Sequence, residues 1–209
     1  MGTFERRQRE KKLREQQILE AAVKVLTEKG YNGATIESIA GKAEVSAGTI
    51  YLYFKNKEDI YASLNLRIIE EFDRELTRLL RDDKVSLEHI LKLAWDSLYS
   101  IASQSPVNMR ALVHGQLQGS LQNISPALLD RLNTTAKAIM KKLAGIFREG
   151  IKEEKIKYAN ANALADLFWG MFTGLVSWEE AKHTTDPGKD FLQPTLDMAF
   201  DVFMKGIKG

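Results

Sequence analysis

The segment TIESIAGKAEVSAGTIYLYFKNK, residues 35–57, reads as two short helices joined by a tight turn and followed by the start of a third. Ile36, Ile39, Ala40, Val45, Ile50 and Phe54 are spaced to form a small apolar core between two crossing helices. With those side chains turned inward, Thr49, Tyr51, Tyr53, Lys55 and Lys57 are left to face outward from the second helix and just beyond it. A helix-turn-helix of this kind presents its second helix to the major groove of DNA. The segment therefore predicts a DNA-binding protein.

Outward from this segment, nearly every stretch carries a helical period, and none shows sustained strand-like alternation. A first helix buries Ile18, Ala22, Val25 and Leu26 and stops at Gly30, a residue suited to the left-handed position after a helix end. Gly33 permits a second turn. Thr35 then stands as N-cap with Glu37 in the first turn, Ser46 caps the next helix, and Asn56 caps the one after, ahead of Glu58 and Asp59. That fourth helix is long, with Ile60, Leu64, Ile68, Phe72, Leu76 and Leu79 on one stripe. A charged break, RDDK at 81–84, separates it from a helix marked by Leu87, Ile90, Leu91, Ala94, Leu98 and Ile101.

Ser105-Pro106 and Ser125-Pro126 each place proline at the first position of a new helix. The second of these carries Leu129, Leu132, Ala136, Ile139, Leu143 and Ile146 on its inner face and ends near Gly150. Asn160 or Asn162 opens the next, which Asp186-Pro187-Gly188 interrupts, and a last helix presents Leu196, Phe200, Phe203 and Ile207. The prediction is an all-α chain of about nine helices. Residues 1–60 form a helix-turn-helix DNA-binding domain with a basic arm at 1–14, and residues 61–209 form a second, larger helical domain.

Composition narrows the alternatives. At 209 residues the chain is long enough for a small module plus a larger one, and its 44% hydrophobic and 28% charged content are ordinary for a folded domain. No apolar run approaches the roughly 20 residues that span a bilayer, and the N-terminus lacks the apolar stretch of a secretory signal, so the expectation is a cytoplasmic protein without a membrane partner. With no cysteine, disulfides, thiolate metal sites and thiol nucleophiles are excluded. Residues 1–60 hold 11 basic and 9 acidic side chains, which accounts for the whole net charge of +2. Arg6, Arg7, Arg9, Lys11, Lys12 and Arg14 oppose only Glu5 and Glu10 in the arm, which either reaches phosphates or is a solvated helix start.

From Ile18 to Leu64 the chain, ILEAAVKVLTEKGYNGATIESIAGKAEVSAGTIYLYFKNKEDIYASL, resembles the tetracycline-repressor (TetR) family of bacterial regulators. The carrying features are a helix, a Gly-Tyr turn, a Thr-capped helix, a turn, a Gly-Thr-x-Tyr-x-Tyr-Phe helix and a Lys-Glu start. Glu44 departs from the pattern, which usually has Gly in that tight turn, and predicts a positive φ at a cost of about 1 kcal/mol. The resemblance implies a helical homodimer whose C-terminal domain binds a small ligand and releases DNA, with repression the usual outcome. The segments YLYFKNKED and WGMFTGLVSWEE are similar to members that sense fatty acyl-CoA. A hydrophobic or cationic xenobiotic is the next effector in line.

At the DNA end, helix starts expose unpaired amides that attract phosphates at Thr35 and Asn56, and Lys57 adds a full charge. Tyr51 and Tyr53 carry hydroxyls for backbone oxygens, or Tyr51 packs within the module. Ser46, Ala47, Gly48, Thr49 and Lys55 complete the predicted DNA-contacting set: Ala47 and Thr49 offer methyls to thymine, and Gly48 lets the backbone come close. The helix lacks Arg, Asn and Gln, so the expectation is modest direct readout, with affinity drawn from phosphates and DNA shape.

Farther along, Leu164, Phe168, Phe172, Leu175, Leu196, Phe200, Phe203 and Met204 are too many large apolar groups for the surface of a monomer. They predict an intersubunit four-helix bundle, and hence a near-palindromic operator, unless they serve the chain's own core. Trp95, Tyr99, Met109, Met140, Phe147, Trp169 and Trp178 are candidates to line an effector cavity, although such residues at helical spacing also build ordinary core. Asn108, Arg110, His114, Gln116 and Gln118 offer polar anchors on a short segment.

An enzyme is the weaker reading. Glu180 and His183 have the E-x-x-H spacing of di-iron carboxylate bundles, but such sites need a second copy and more glutamates, and the other histidines, His89 and His114, lack the spacing. Neither a Gly-rich phosphate loop nor a G-x-S-x-G nucleophile turn occurs. No catalytic residue, metal or cofactor is predicted. A helical carrier of small molecules without DNA binding is the remaining alternative.

Overall fold

The computed structural model describes residues 3–81, 86–114, 123–183 and 191–208. Among the described residues are nine helices: α1 (Thr3–Gly33), α2 (Ile36–Lys42), α3 (Ala47–Tyr51), α4 (Lys57–Leu79), α5 (Leu87–Ala102), α6 (Pro106–His114), α7 (Pro126–Lys152), α8 (Ala161–His183) and α9 (Leu192–Ile207). Of the charged break expected at 81–84, residues 82–84 lie outside the described residues, as do Asp186-Pro187-Gly188, Gln116 and Gln118.

The basic arm is not a separate tail: from Thr3 onward it forms the first turns of α1, where Arg6 pairs with Glu10 at 2.8 Å. Gly30, at φ 67°, breaks α1 where an L side chain would strain, and one short turn carries the chain to Thr35. There Thr35 Oγ1 accepts from the Ser38 N–H and Ser38 Oγ accepts from the Thr35 N–H, a reciprocal cap that starts α2. Ile18, Ala22, Val25 and Leu26 of α1 close over Ile39, Ala40, Ile50 and Phe54, all buried, with Val45 partly buried beside them. Glu44 takes the turn between α2 and α3 at φ 56°, the conformation its position demands.

α4 starts in this module and continues into the larger one as its spine, buried along Leu64, Ile68, Phe72, Leu76 and Leu79. It is bolted to α7: Arg131 pairs with Glu70 at 2.8 Å, and Lys142 donates to both Asp73 Oδ1 and Thr77 Oγ1 at 2.7 Å. Behind α4 lies an aromatic core, with the Trp95 ring edge-on to Phe168 at 5.0 Å and to Phe172 at 5.1 Å, and Phe147 against Phe203 at 5.9 Å. Such rings bury large areas and favour edge-to-face geometry, which fixes how α5, α7, α8 and α9 cross. Pro126 opens α7 as expected, and Asn160 rather than Asn162 caps α8, its Oδ1 accepting from the Ala163 N–H. α7 runs on past Gly150, which lies so close to Leu87 and Ile156 that a Cβ there would come within 2.5 Å of the Leu87 side chain.

Candidate DNA interface and effector cavity

The second helix of the turn motif is short, held at its start by Ser46, whose Oγ accepts from the Thr49 N–H at 3.1 Å and sits 2.9 Å from the Thr49 hydroxyl. The Ser46 and Thr35 hydroxyls are thus engaged in caps, and what they present to a ligand is their remaining hydrogen-bonding capacity. Ile50 and Phe54 point inward and are fully or nearly buried, which turns Gly48, Tyr51 and Lys55 out to solvent on one surface. Tyr51 is 55% exposed, which leaves its hydroxyl available. Ala47, Thr49 and Tyr53 are half-buried, and Tyr53 packs against the core. Leu52, 76% exposed beside Tyr51, adds an apolar side chain that is not in the expected DNA-contacting set.

Lys57 is more constrained than its position suggests. Its Nζ donates to the Tyr31 carbonyl at 3.0 Å and lies 4.3 Å over the Tyr31 ring, a cation–π contact. The Tyr31 hydroxyl donates to Glu58 at 3.1 Å; burial first, then the Glu58 charge, pushes this phenol up to about 12. Lys42 reaches Glu28 at 2.7 Å and holds that carboxyl below its usual range. Lys55 stays exposed at the exit of the recognition helix, as do Lys24 and Lys29 on α1 and the basic side chains of the arm.

In the larger domain, a cavity of about 320 Å³ lies between α4, α6, α7 and α8. Its buried floor is Asn65, Ile69, Leu112, Leu132 and Ile139; its rim carries Asn133 and Asp166, both exposed. Of the predicted lining residues, Met140 and Trp169 face it. Trp95 and Phe147 are buried in the aromatic core, Met109 is buried, Tyr99 is half-buried, and Trp178 is 64% exposed on α8. Arg110, expected as an anion anchor, sits 3.6 Å from Glu180, so the carboxylate of the E-x-x-H spacing faces a guanidinium. The side chains of His114 and His183 lie outside the described set. Asn108 is buried on α6.

Asn65 is the cavity residue that the sequence argument missed. Its amide is buried, and its Oδ1 has no hydrogen-bond partner within the chain. A buried acceptor left unpaired costs about 1–3 kcal/mol, so its place in a cavity wall marks it for a donor from a bound molecule. The signal was an amide one position along from Leu64 in the stretch Leu64-Asn65-Leu66-Arg67-Ile68-Ile69, among residues that α4 buries.

For a subunit interface, the structure corrects the expected side chains. Leu164, Phe168, Phe172, Leu196, Phe200 and Met204 are buried within the chain itself, and Leu175 and Phe203 are half-buried. What α8 and α9 leave uncovered is the neighbouring stripe: Leu167 at 59%, Trp178 at 64%, Met198 at 68% and Val202 at 65% exposed, with Gly170 and Gly174 between the first two. Successive residues on a helix are about 100° apart, so a shift of one position changes the face. Leu167 and Phe203 also wall an open groove of about 850 Å³ that extends to Tyr158 and Ile207.

Among the described residues, no helix is long and apolar enough to cross a membrane. Residues 18–64 match the family of bacterial regulatory proteins, tetR family. The chain is 32% identical over 157 residues to the fatty acid metabolism regulator protein of Bacillus subtilis (strain 168), covering 71% of this chain and 74% of that one. It is 28% identical over 185 residues to the transcriptional regulator AcuR of Cereibacter sphaeroides, covering 86% and 82%. Its fold matches the crystal structure of FadR from Bacillus subtilis in complex with stearoyl-CoA, with a TM-score of 0.70, 27% identity, and coverage of 92% of this chain and 98% of that one.

Proposed function

We propose, from the premise that this chain belongs to the tetR family of bacterial regulatory proteins, that it is a repressor released from its operator by a long-chain fatty acyl-CoA. It is a DNA-binding transcriptional regulator that responds to a ligand, and the relatives it matches are regulators rather than enzymes. The observation that carries the choice of effector is the likeness, across nearly the whole fold, to a regulator holding stearoyl-CoA. The cavity supports it: an apolar floor suits an alkyl chain, and the unpaired Asn65 oxygen suits a donor such as an amide N–H of the pantetheine arm.

In this reading residues 1–60 dock on DNA through Gly48, Thr49, Tyr51 and Lys55, with Thr35, Ser46, Ala47, Tyr53 and Lys57 at the edges of the contact. Residues 61–209 hold the effector and pair two copies through the exposed α8–α9 stripe. Two recognition helices related by a two-fold axis call for a near-palindromic operator. The protein works in the cytoplasm, beside the chromosome.

The test is fluorescence anisotropy with the DNA upstream of the protein's own gene. Binding should exceed that of bulk competitor DNA by about 10³-fold or more, the usual margin of a specific site. Stearoyl-CoA at micromolar concentration should weaken it by about 5- to 150-fold, the common span of allosteric coupling. Free stearate should not. Equal affinity for competitor DNA would end the regulator reading; release by stearate as well as the thioester would end the choice of effector.

A further inference from the structure

Asp59 occupies the third position of α4, where an acidic side chain commonly reaches back to the helix start. One of its oxygens does so, accepting from the Lys55 N–H at 3.1 Å. The other does something the helix start does not need: it accepts from the Ser125 N–H at 2.7 Å, across 66 residues of chain. Beside it Asn56 is divided in the same way. Its Oδ1 caps α4 by accepting from the Asp59 N–H at 2.8 Å, while its Nδ2 donates to the Asn123 carbonyl at 2.7 Å. Asp59 is only 4% exposed. A carboxyl group so deeply buried is tolerated because both oxygens accept from backbone donors; take one donor away and a buried acceptor is left unpaired.

The two ends of this bracket belong to different machinery. Lys55 is the outward basic group at the exit of the recognition helix. Ser125 is the residue from which α7 starts, and Leu129 and Leu132, one and two turns along, line the cavity. We infer that Asn56 and Asp59 form a polar latch that couples the position of α7 to the recognition helix, so that a molecule filling the cavity moves Lys55 through Ser125 and Asn123. The inference rests on the cavity being the effector site, as proposed above. Asn56 and Asp59 are positioning residues: they act through the backbone groups of Lys55, Asn123 and Ser125 that their side chains hold.

Asn56→Ser tests this without removing the cap, since serine keeps an oxygen for the Asp59 N–H and loses only the donor to Asn123. Asp59→Asn is the second variant, placing an amide where one backbone N–H needs an acceptor. Operator affinity of the full-length protein is measured with and without saturating stearoyl-CoA, and stearoyl-CoA binding is measured separately. If wild type responds about 30-fold, within the usual range, each variant should respond about threefold or less while still binding stearoyl-CoA. A variant that binds stearoyl-CoA and keeps the wild-type ratio overturns the latch. A wild-type protein that ignores stearoyl-CoA defeats the proposed effector instead, and amide exchange on the unliganded protein then decides the latch. Asn56→Ser should speed exchange in both 46–55 and 123–129. Faster exchange confined to 123–129, or in neither segment, overturns it.

Discussion

Large apolar side chains stand in water at Tyr51 and Leu52, on and just past the recognition helix, and at Leu167, Trp178, Met198 and Val202 on α8 and α9. Their surroundings separate them. Tyr51 stands beside Lys55 and the half-buried Thr49, with hydroxyl and ammonium groups directed outward, a mixture that suits a polyanion. The α8–α9 stripe has glycine rather than charge at its centre, at 170 and 174, and Asp166, Asp197, Asp201 and Lys205 at its edges. An apolar centre with a charged rim is the anatomy of a protein–protein interface. Exposure alone does not identify a partner; the chemistry around the exposed group does.

The largest effect should come from the second surface. Leu167→Asp combined with Val202→Asp places two charges per subunit on the stripe, and the prediction is a monomer in native mass spectrometry with unchanged helicity by circular dichroism. Both side chains are in solvent within one subunit, so the fold itself has little reason to suffer. Losing the paired docking of two recognition helices should weaken operator binding by about 100-fold or more, the low end of what linking two sites supplies. A dimer that survives both charges would move the interface elsewhere.

A middle-sized effect separates the surfaces by charge. Lys55→Gln should weaken operator binding severalfold and lower the salt slope by about 0.9, the share of one phosphate contact. Lys205→Gln, a like change at the rim of the other surface, should leave the slope alone. Equal slopes for Lys55→Gln and wild type would remove Lys55 from the DNA contact.

What was legible from residues alone followed the range of the physics involved. Thr35, Ser46 and Asn56 were readable as caps because a cap is settled within three residues, and all three make their expected bonds. The inward set Ile36, Ile39, Ala40, Ile50 and Phe54 was readable because the module is amphipathic. On α8 that signal fails. Leu164, Leu167, Phe168, Met171, Phe172 and Leu175 surround much of the helix, so periodicity could not choose between Phe168, which faces the core, and Leu167, which faces out. Trp95 and Trp169 were equally good cavity candidates by type, and only the crossing of α5 with α8 places the first in the aromatic core and the second at the cavity. The bond from Asn56 to Asn123, across 67 residues, left no mark in the sequence at all.

The smallest predicted effect returns to the DNA end and asks whether its turn is strained. Glu44 holds φ at 56°, bonded through its N–H to the Gly41 carbonyl at 3.3 Å, while the following Val45 N–H reaches the Ala40 carbonyl at 3.0 Å. In the left-handed region a Cβ crowds the following carbonyl at a cost of about 1–2 kcal/mol. Glu44→Gly removes that crowding but loosens the unfolded chain, which takes back about 0.4–1 kcal/mol. The net expectation is a gain of about 0.5–1 kcal/mol in urea unfolding of the unliganded protein. Removing a negative charge near the recognition helix is a separate change, and two further variants isolate it. Glu44→Asn loses the charge and tolerates positive φ, so it should also gain, though less; Glu44→Ala loses the charge and keeps the Cβ, so it should gain nothing. A glycine variant no more stable than the alanine one would mean that the turn carries no strain, and that the glutamate costs the DNA end nothing in stability.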